Sequence, residues 1–293
     1  MTTDSSKIQN WTQFVVIESI PDGQPHTGKK IFEDLQTHCA YHGFTLSLKY
    51  MAVRSKDELC TALDAVEIDA RLNGHRPILH IECHGSDDEK GLVLSDDSFV
   101  GWEELKPILT AINFHSGFNL LIVLSLCNGG YLTEIIDLTD RAPCWGLIGP
   151  LKPVPARLLL DGFGAFYRVF LSTLNGDLAV AELFRLKPTV HYVYAPAEGF
   201  FRKVYSEYLR DHTTEDAYAL RAKKIIRQLR DDSVHVGRRA MIRRLKKFEK
   251  VAFEKYKRHF FMIDHFPLNA KRFKTSYEDV KALSLKSPKA SLA

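Results

Sequence analysis

Two short apolar runs, each closed by a reactive side chain, constrain this chain more than any other feature. Pro77-Ile78-Leu79-His80-Ile81-Glu82-Cys83 ends on His84-Gly85, and Leu120-Leu121-Ile122-Val123-Leu124-Ser125-Leu126 ends on Cys127-Asn128-Gly129-Gly130. Short runs this rich in apolar residues read as buried strands of a sheet covered by helices on both faces. Each strand delivers one side chain at its carboxyl end, a histidine and a cysteine. That pair is what a cysteine nucleophile with an imidazole partner needs. Taken singly, each has a blander reading: a His-Gly turn, and a cysteine packed in the core.

The rest of the first two thirds supplies the helices. Phe14–Ile17 reads as a first buried strand closed by Pro21-Asp22-Gly23. A helix over 28–42 shows Ile31, Leu35 and Cys39 on one face and stops at Gly43. Phe44, Leu46, Leu48 and Tyr50 alternate as a half-buried strand. Ser55-Lys56-Asp57-Glu58 is a capping box ahead of a helix reaching Asn73-Gly74. A hairpin about Asp96-Asp97 and a helix from Trp102 to Ile112 separate the two key runs. Beyond them come a short helix over 131–138, a strand over 144–149, helices over 155–174 and 177–186, and a strand over 190–194. Strands alternating with helices predict an α/β fold with a mostly parallel central sheet flanked by helices. In such sheets the sites lie beyond the carboxyl ends of the strands, where His84 and Cys127 both fall.

From about residue 197 the pattern is helical and the charge changes sign. Residues 215–274 hold 18 lysines and arginines against 7 acids, so the net charge of +4 conceals an acidic body and a basic extension. The chain is thus expected to comprise a domain over 1–196, a basic helical region over 197–283 and a disordered tail over 284–293. Five cysteines without CxxC spacing, no apolar span of membrane length and a polar start over 1–9 predict a cytoplasmic protein that engages no membrane. No glycine-rich phosphate loop or HExxH spacing appears, so neither cofactor nor metal is expected. Asp87, Asp88, Asp96 and Asp97 read as a solvated acidic loop, with calcium binding as the alternative.

The joint pattern resembles the caspase-like cysteine peptidases (the clan of caspases, separase and gingipain), and most closely their CHAT-domain branch. The residues that carry the likeness are His84-Gly85 after its strand, Gly91-Leu92-Val93-Leu94-Ser95-Asp96, and Trp102–Leu105. Val123-Leu124-Ser125-Leu126-Cys127-Asn128-Gly129-Gly130 is similar to the branch's "V-L-S-A-C-x-x-G" signature, with Leu126 in place of the small residue. Gly146–Gly149 and Phe166–Phe170 resemble its later strand and helix, so the likeness covers roughly 14–186. It implies an endopeptidase in which Cys127 attacks a peptide carbonyl, His84 protonates the leaving amine, and the backbone amides of Gly85 and Cys127 hold the oxyanion. It also implies a regulated enzyme whose substrate is another protein, awaiting an activating or inhibitory partner, in prokaryotic antiviral defence or programmed cell death. For the substrate pocket it points to His26, in His26-Thr27-Gly28, and to Ser125, where some relatives carry an aspartate. With no acid at 125, a neutral or apolar substrate residue is expected. The basic helix over 238–258 is expected to meet a partner protein or nucleic acid, the latter through Arg238-Arg239, Arg243-Arg244 and Lys246-Lys247. The alternative function is a catalytically silent scaffold that binds through this region.

Overall fold

Alternation along the central strands sorts their side chains into two apolar layers. In the computed structural model, which describes residues 11–186, 190–231 and 236–286, strands β1 (Gln13–Glu18), β2 (Ser47–Ala52) and β3 (Pro77–Glu82) come first. A small antiparallel sheet of β4 (His84–Gly85), β5 (Gly91–Val93) and β6 (Phe99–Gly101) follows. Then come β7 (Leu121–Ser125), β8 (Gly146–Pro150) and β9 (Tyr192–Pro196). The main sheet has the order β2-β1-β3-β7-β8-β9. Its first five strands are parallel, and β9 pairs antiparallel with β8.

Val15, Ile17, Leu79, Ile81, Ile122 and Leu124 face one layer, built on α2 (Lys56–Asn73) and α3 (Trp102–His115). Phe14, Val16, Ile78, Leu121 and Val123 face the other, built on α1 (Thr27–His42), α4 (Ala156–Thr173) and α5 (Gly176–Leu186). A period of two thus packs both faces at once, as a parallel sheet requires. The expected α/β sheet flanked by helices is present.

Local boundaries differ from expectation for identifiable reasons. The strand expected from Phe44 begins at Ser47, because Phe44 still belongs to the exit of α1: its amide donates to Cys39 O at 2.9 Å, behind Gly43 at φ 68°. The capping box is half as expected. Ser55 Oγ accepts from Glu58 N, but the Glu58 carboxylate reaches past Ser55 to Arg54 N. The short helix after Cys127 is a 3-10 turn over Gly129–Ile135.

The chain divides into two compact units. One comprises the residues up to Asp137 with Ala142–Ala197; the other comprises Leu138–Arg141 with Glu198 onward. The second unit carries α6 (Ala197–His212), α7 (Glu215–Asp231), α8 (Arg238–Phe260), α9 (Asn269–Arg272) and α10 (Tyr277–Lys286). Its core is aromatic: Phe201 packs against Phe253, Phe260 and Phe261, with ring centroids 5.1 to 5.6 Å apart. Helical spacing predicts Met241, Leu245, Phe248, Ala252 and Tyr256 on the inner face of α8; Met241 is buried and Leu245, Ala252 and Tyr256 are half-buried, so the stripe differs at one position. Phe248 is 61% exposed, whereas Phe253 and Phe260 are fully buried. Of the tail expected to be disordered, Ser284 to Lys286 end α10, and 287–293 lie outside the described residues, as do the polar residues 1–9.

Candidate active site

Adjacent parallel strands bring the two key residues to one edge. β3 and β7 pair from Ile78–Leu121 to Glu82–Ser125, so the chains leaving Glu82 and Ser125 depart side by side. His84 and Gly85 then enter the small sheet, opposite Val93 and Leu92. Gly85 passes so close to the nucleophile turn that a Cβ there would sit 1.7 Å from Cys127 O and 3.3 Å from Cys127 Cα. Only glycine permits that approach. Asn128, at φ 61°, clasps the same contact by donating from Nδ2 to Ser86 O at 3.3 Å, while its buried Oδ1 has no partner among the described residues.

The two reactive side chains are held by different loops. His84 is exposed, and its Nε2 lies 3.0 Å from Gln24 Oε1. An amide oxygen only accepts, so Nε2 is the donor in this contact. Cys127 is half-buried, and Val154 N–H donates to its Sγ at 3.4 Å, with Val154 O 3.9 Å away. Two other cysteines, Cys83 and Cys144, are buried in the apolar core. Burial pushes the Cys83 thiol up and raises that of Cys144 to about 12, so both stay protonated and inert.

His26 and Ser125, the residues expected at the substrate pocket, lead to two carboxylates that the sequence reading passed over. His26 caps α1, and its Nδ1 pairs with Glu18 Oε2 at 2.9 Å. Glu18 Oε1 accepts from Gly28 N and Lys29 N, and Tyr50 OH donates to Oε2 at 2.5 Å. Ser125 is buried and lies opposite Glu82 in the β3–β7 register; Glu82 Oε2 is 3.4 Å from His80 Nε2, and His80 Nδ1 meets Tyr167 OH at 3.0 Å. Burial raises the Glu82 carboxyl, and the Glu18 charge adds to the rise, against the opposing pull of His80. Glu18 and Glu82 each end an apolar strand. A charged residue closing such a run was the signal available, and it reads most simply as a strand reaching water.

The acidic loop is tied to itself. Asp96 Oδ1 accepts from Ser98 N, and Asp88 Oδ1 from Lys90 N. Among the described residues no group of three acids, histidines or cysteines is placed to hold a metal ion. No described helix is long and apolar enough to cross a membrane. No protein-family model matches the chain, and no curated protein matches it.

Proposed function

We propose that this chain is a cysteine endopeptidase of the caspase-like type, CHAT branch, that cuts a partner protein with a His84–Cys127 dyad. The observation that carries the reading is the backbone contact of Gly85 with Cys127. It binds the histidine-bearing strand end to the cysteine-bearing one, at the sheet edge where α/β sites form.

A free thiol has a pKa of about 8.5 and is mostly protonated at neutral pH. His84 takes the Cys127 proton, and the thiolate bonds to the substrate carbonyl carbon. The negative oxygen is held by backbone amides, for which Gly85 and Cys127 are the candidates by resemblance. The imidazolium then gives its proton to the amine as the C–N bond breaks. Water hydrolyses the remaining thioester and restores the thiol. Gln24 holds the imidazole in the resting arrangement, which fits an enzyme released by a partner or signal.

The test is to incubate the protein with candidate partner proteins and to identify new termini by mass spectrometry. Cys127→Ala and His84→Ala each abolish the new termini while the circular dichroism spectrum stays native. Cleavage that persists in both variants contradicts the reading. One observation favours a second reading, in which the chain binds a partner protein or nucleic acid through its basic helices without cutting. Phe248 and Val251 stand exposed on α8, between Arg244 and Lys255.

A further inference from the structure

Glu18 and Glu82 are neighbours across the sheet, opposite each other in the β1–β3 register, with Ser125 next in the row. By the alternation of their strands, all three lie on the face covered by α1 and α4. A Cβ on Gly28 would fall 2.9 Å from Glu18 Oε1 and 3.3 Å from Glu82 Oε2, so both carboxylates converge on one backbone position. Both are buried, at 2% and 3% exposure, and among the described residues neither has a lysine or arginine partner. Among the described residues, the groups that ion-pair with them are the imidazoles of His26 and His80.

Two independent features make this a place for a ligand rather than a structural pair alone. The first is topology. From β1 the chain runs through α1 to β2 on one side, then through α2 across to β3 on the other side of β1. The strand order therefore reverses between β1 and β3, and open α/β sheets bind ligands in the crevice at the carboxyl ends of such a reversal. The second is an unused polar atom. Thr27, between the two residues that hold Glu18, is 2% exposed, and its Oγ1 has no hydrogen-bond partner among the described residues.

We infer that Glu18 and Glu82 form the floor of the substrate pocket and select a lysine or arginine side chain immediately before the scissile bond. The inference rests on the peptidase reading above. Ser125 carries no charge, but Glu82 lies opposite it in the β3–β7 register on the same face, so the acid reaches the pocket from the neighbouring strand. The covering loop joins the two halves of the site: Gln24 holds His84, and His26, whose side chain is 44% exposed, holds Glu18. A guanidinium or ammonium entering beside Cys127 replaces His26 on Glu18 Oε2. A buried carboxylate pair with no fixed cation favours such a group and rejects an acidic one, which would add a third negative charge. The neutral or apolar preference expected from Ser125 is thereby replaced.

The test is covalent labelling of Cys127 by four peptide acyloxymethyl ketones that differ only in the residue next to the reactive group: arginine, lysine, leucine or aspartate. Rates are read by intact mass on the full chain, in the wild type and in Gln24→Ala, where the loop contact is removed. The arginine and lysine probes react roughly tenfold or more faster than the leucine probe, and the aspartate probe is slowest. In Glu82→Gln and Glu18→Gln the arginine-over-leucine ratio falls towards one while the leucine probe still labels; Glu82→Asp keeps part of the ratio. A structural role alone would change all four rates together. Faster labelling by leucine or aspartate in the wild type, or an undiminished ratio in Glu82→Gln, overturns the specificity and leaves the dyad standing. No labelling by any probe, in wild type and Gln24→Ala alike, overturns the peptidase reading and the specificity with it.

Discussion

Glu82 pairs a carboxylate with an environment that disfavours its charge, and this makes a signed prediction. Burial raises its carboxyl in the folded protein, while in the unfolded chain it titrates near pH 4.3. A raised carboxyl makes the folded state bind the extra proton. The cost to stability is absent below the unfolded value, grows as pH rises through the folded one, and is full above it. Glu82→Gln therefore raises the melting temperature at pH 8 and leaves it nearly unchanged at pH 4. Thermal unfolding at the two pH values checks this, and an equal shift at both would remove burial as the cause. His84 and Cys127 were legible in the sequence because each follows a buried strand and is followed by glycine or by Asn-Gly-Gly. Glu18 and Glu82 were not, because their pairing is created by the β1–β3 register, which no local pattern encodes.

Among the elements, α8 separates what periodicity can and cannot supply. Its apolar residues are numerous enough to offer two overlapping stripes. The packing of Phe201 against Phe253 and Phe260, from another helix, decides between them. Phe253→Ala is expected to cost about 3–5 kcal/mol, as for a large aromatic removed from a closed core. Phe248→Ser, on an exposed side chain, is expected to stay within about 0.5 kcal/mol. Urea unfolding of the two variants checks this, and comparable losses would return Phe248 to the core face where its spacing put it. The loop between β1 and α1 carries a functional prediction of its own. Gln24→Ala frees the imidazole from its 3.0 Å partner and raises basal cleavage, measured with a peptide substrate before any activator is added. An unchanged basal rate would show that this contact holds nothing back. The direction of β9 was unreadable for a similar reason to the stripe of α8: its residues favour a strand, but β8 alone sets which way it runs.

For the whole molecule, α/β alternation was readable because each buried strand and each amphipathic helix declares its own period. The strand order was not, since the return from β2 across β1 to β3 is a choice of connection rather than of composition. That return sets Glu18 beside Glu82, so the feature hardest to read is the one that pairs the two acids. The charge asymmetry was fully visible, with 18 basic against 7 acidic residues over 215–274. If these helices recruit an acidic partner, the association weakens steeply with salt, and replacing Arg243, Arg244, Lys246 and Lys247 removes that dependence.

The central claim is that Cys127 is a nucleophile activated by His84, and the protein contains its own control. Cys60 is exposed, whereas Cys127 is half-buried, so accessibility alone predicts that Cys60 reacts first. The decisive measurement is the rate at which a peptide electrophile modifies each cysteine, read by peptide mapping in wild type and His84→Ala. Cys127 is expected to be modified ahead of Cys60 and to slow by roughly a hundredfold or more in His84→Ala, while Cys60 is unaffected. Modification of Cys60 first, or a Cys127 rate indifferent to His84, would contradict it.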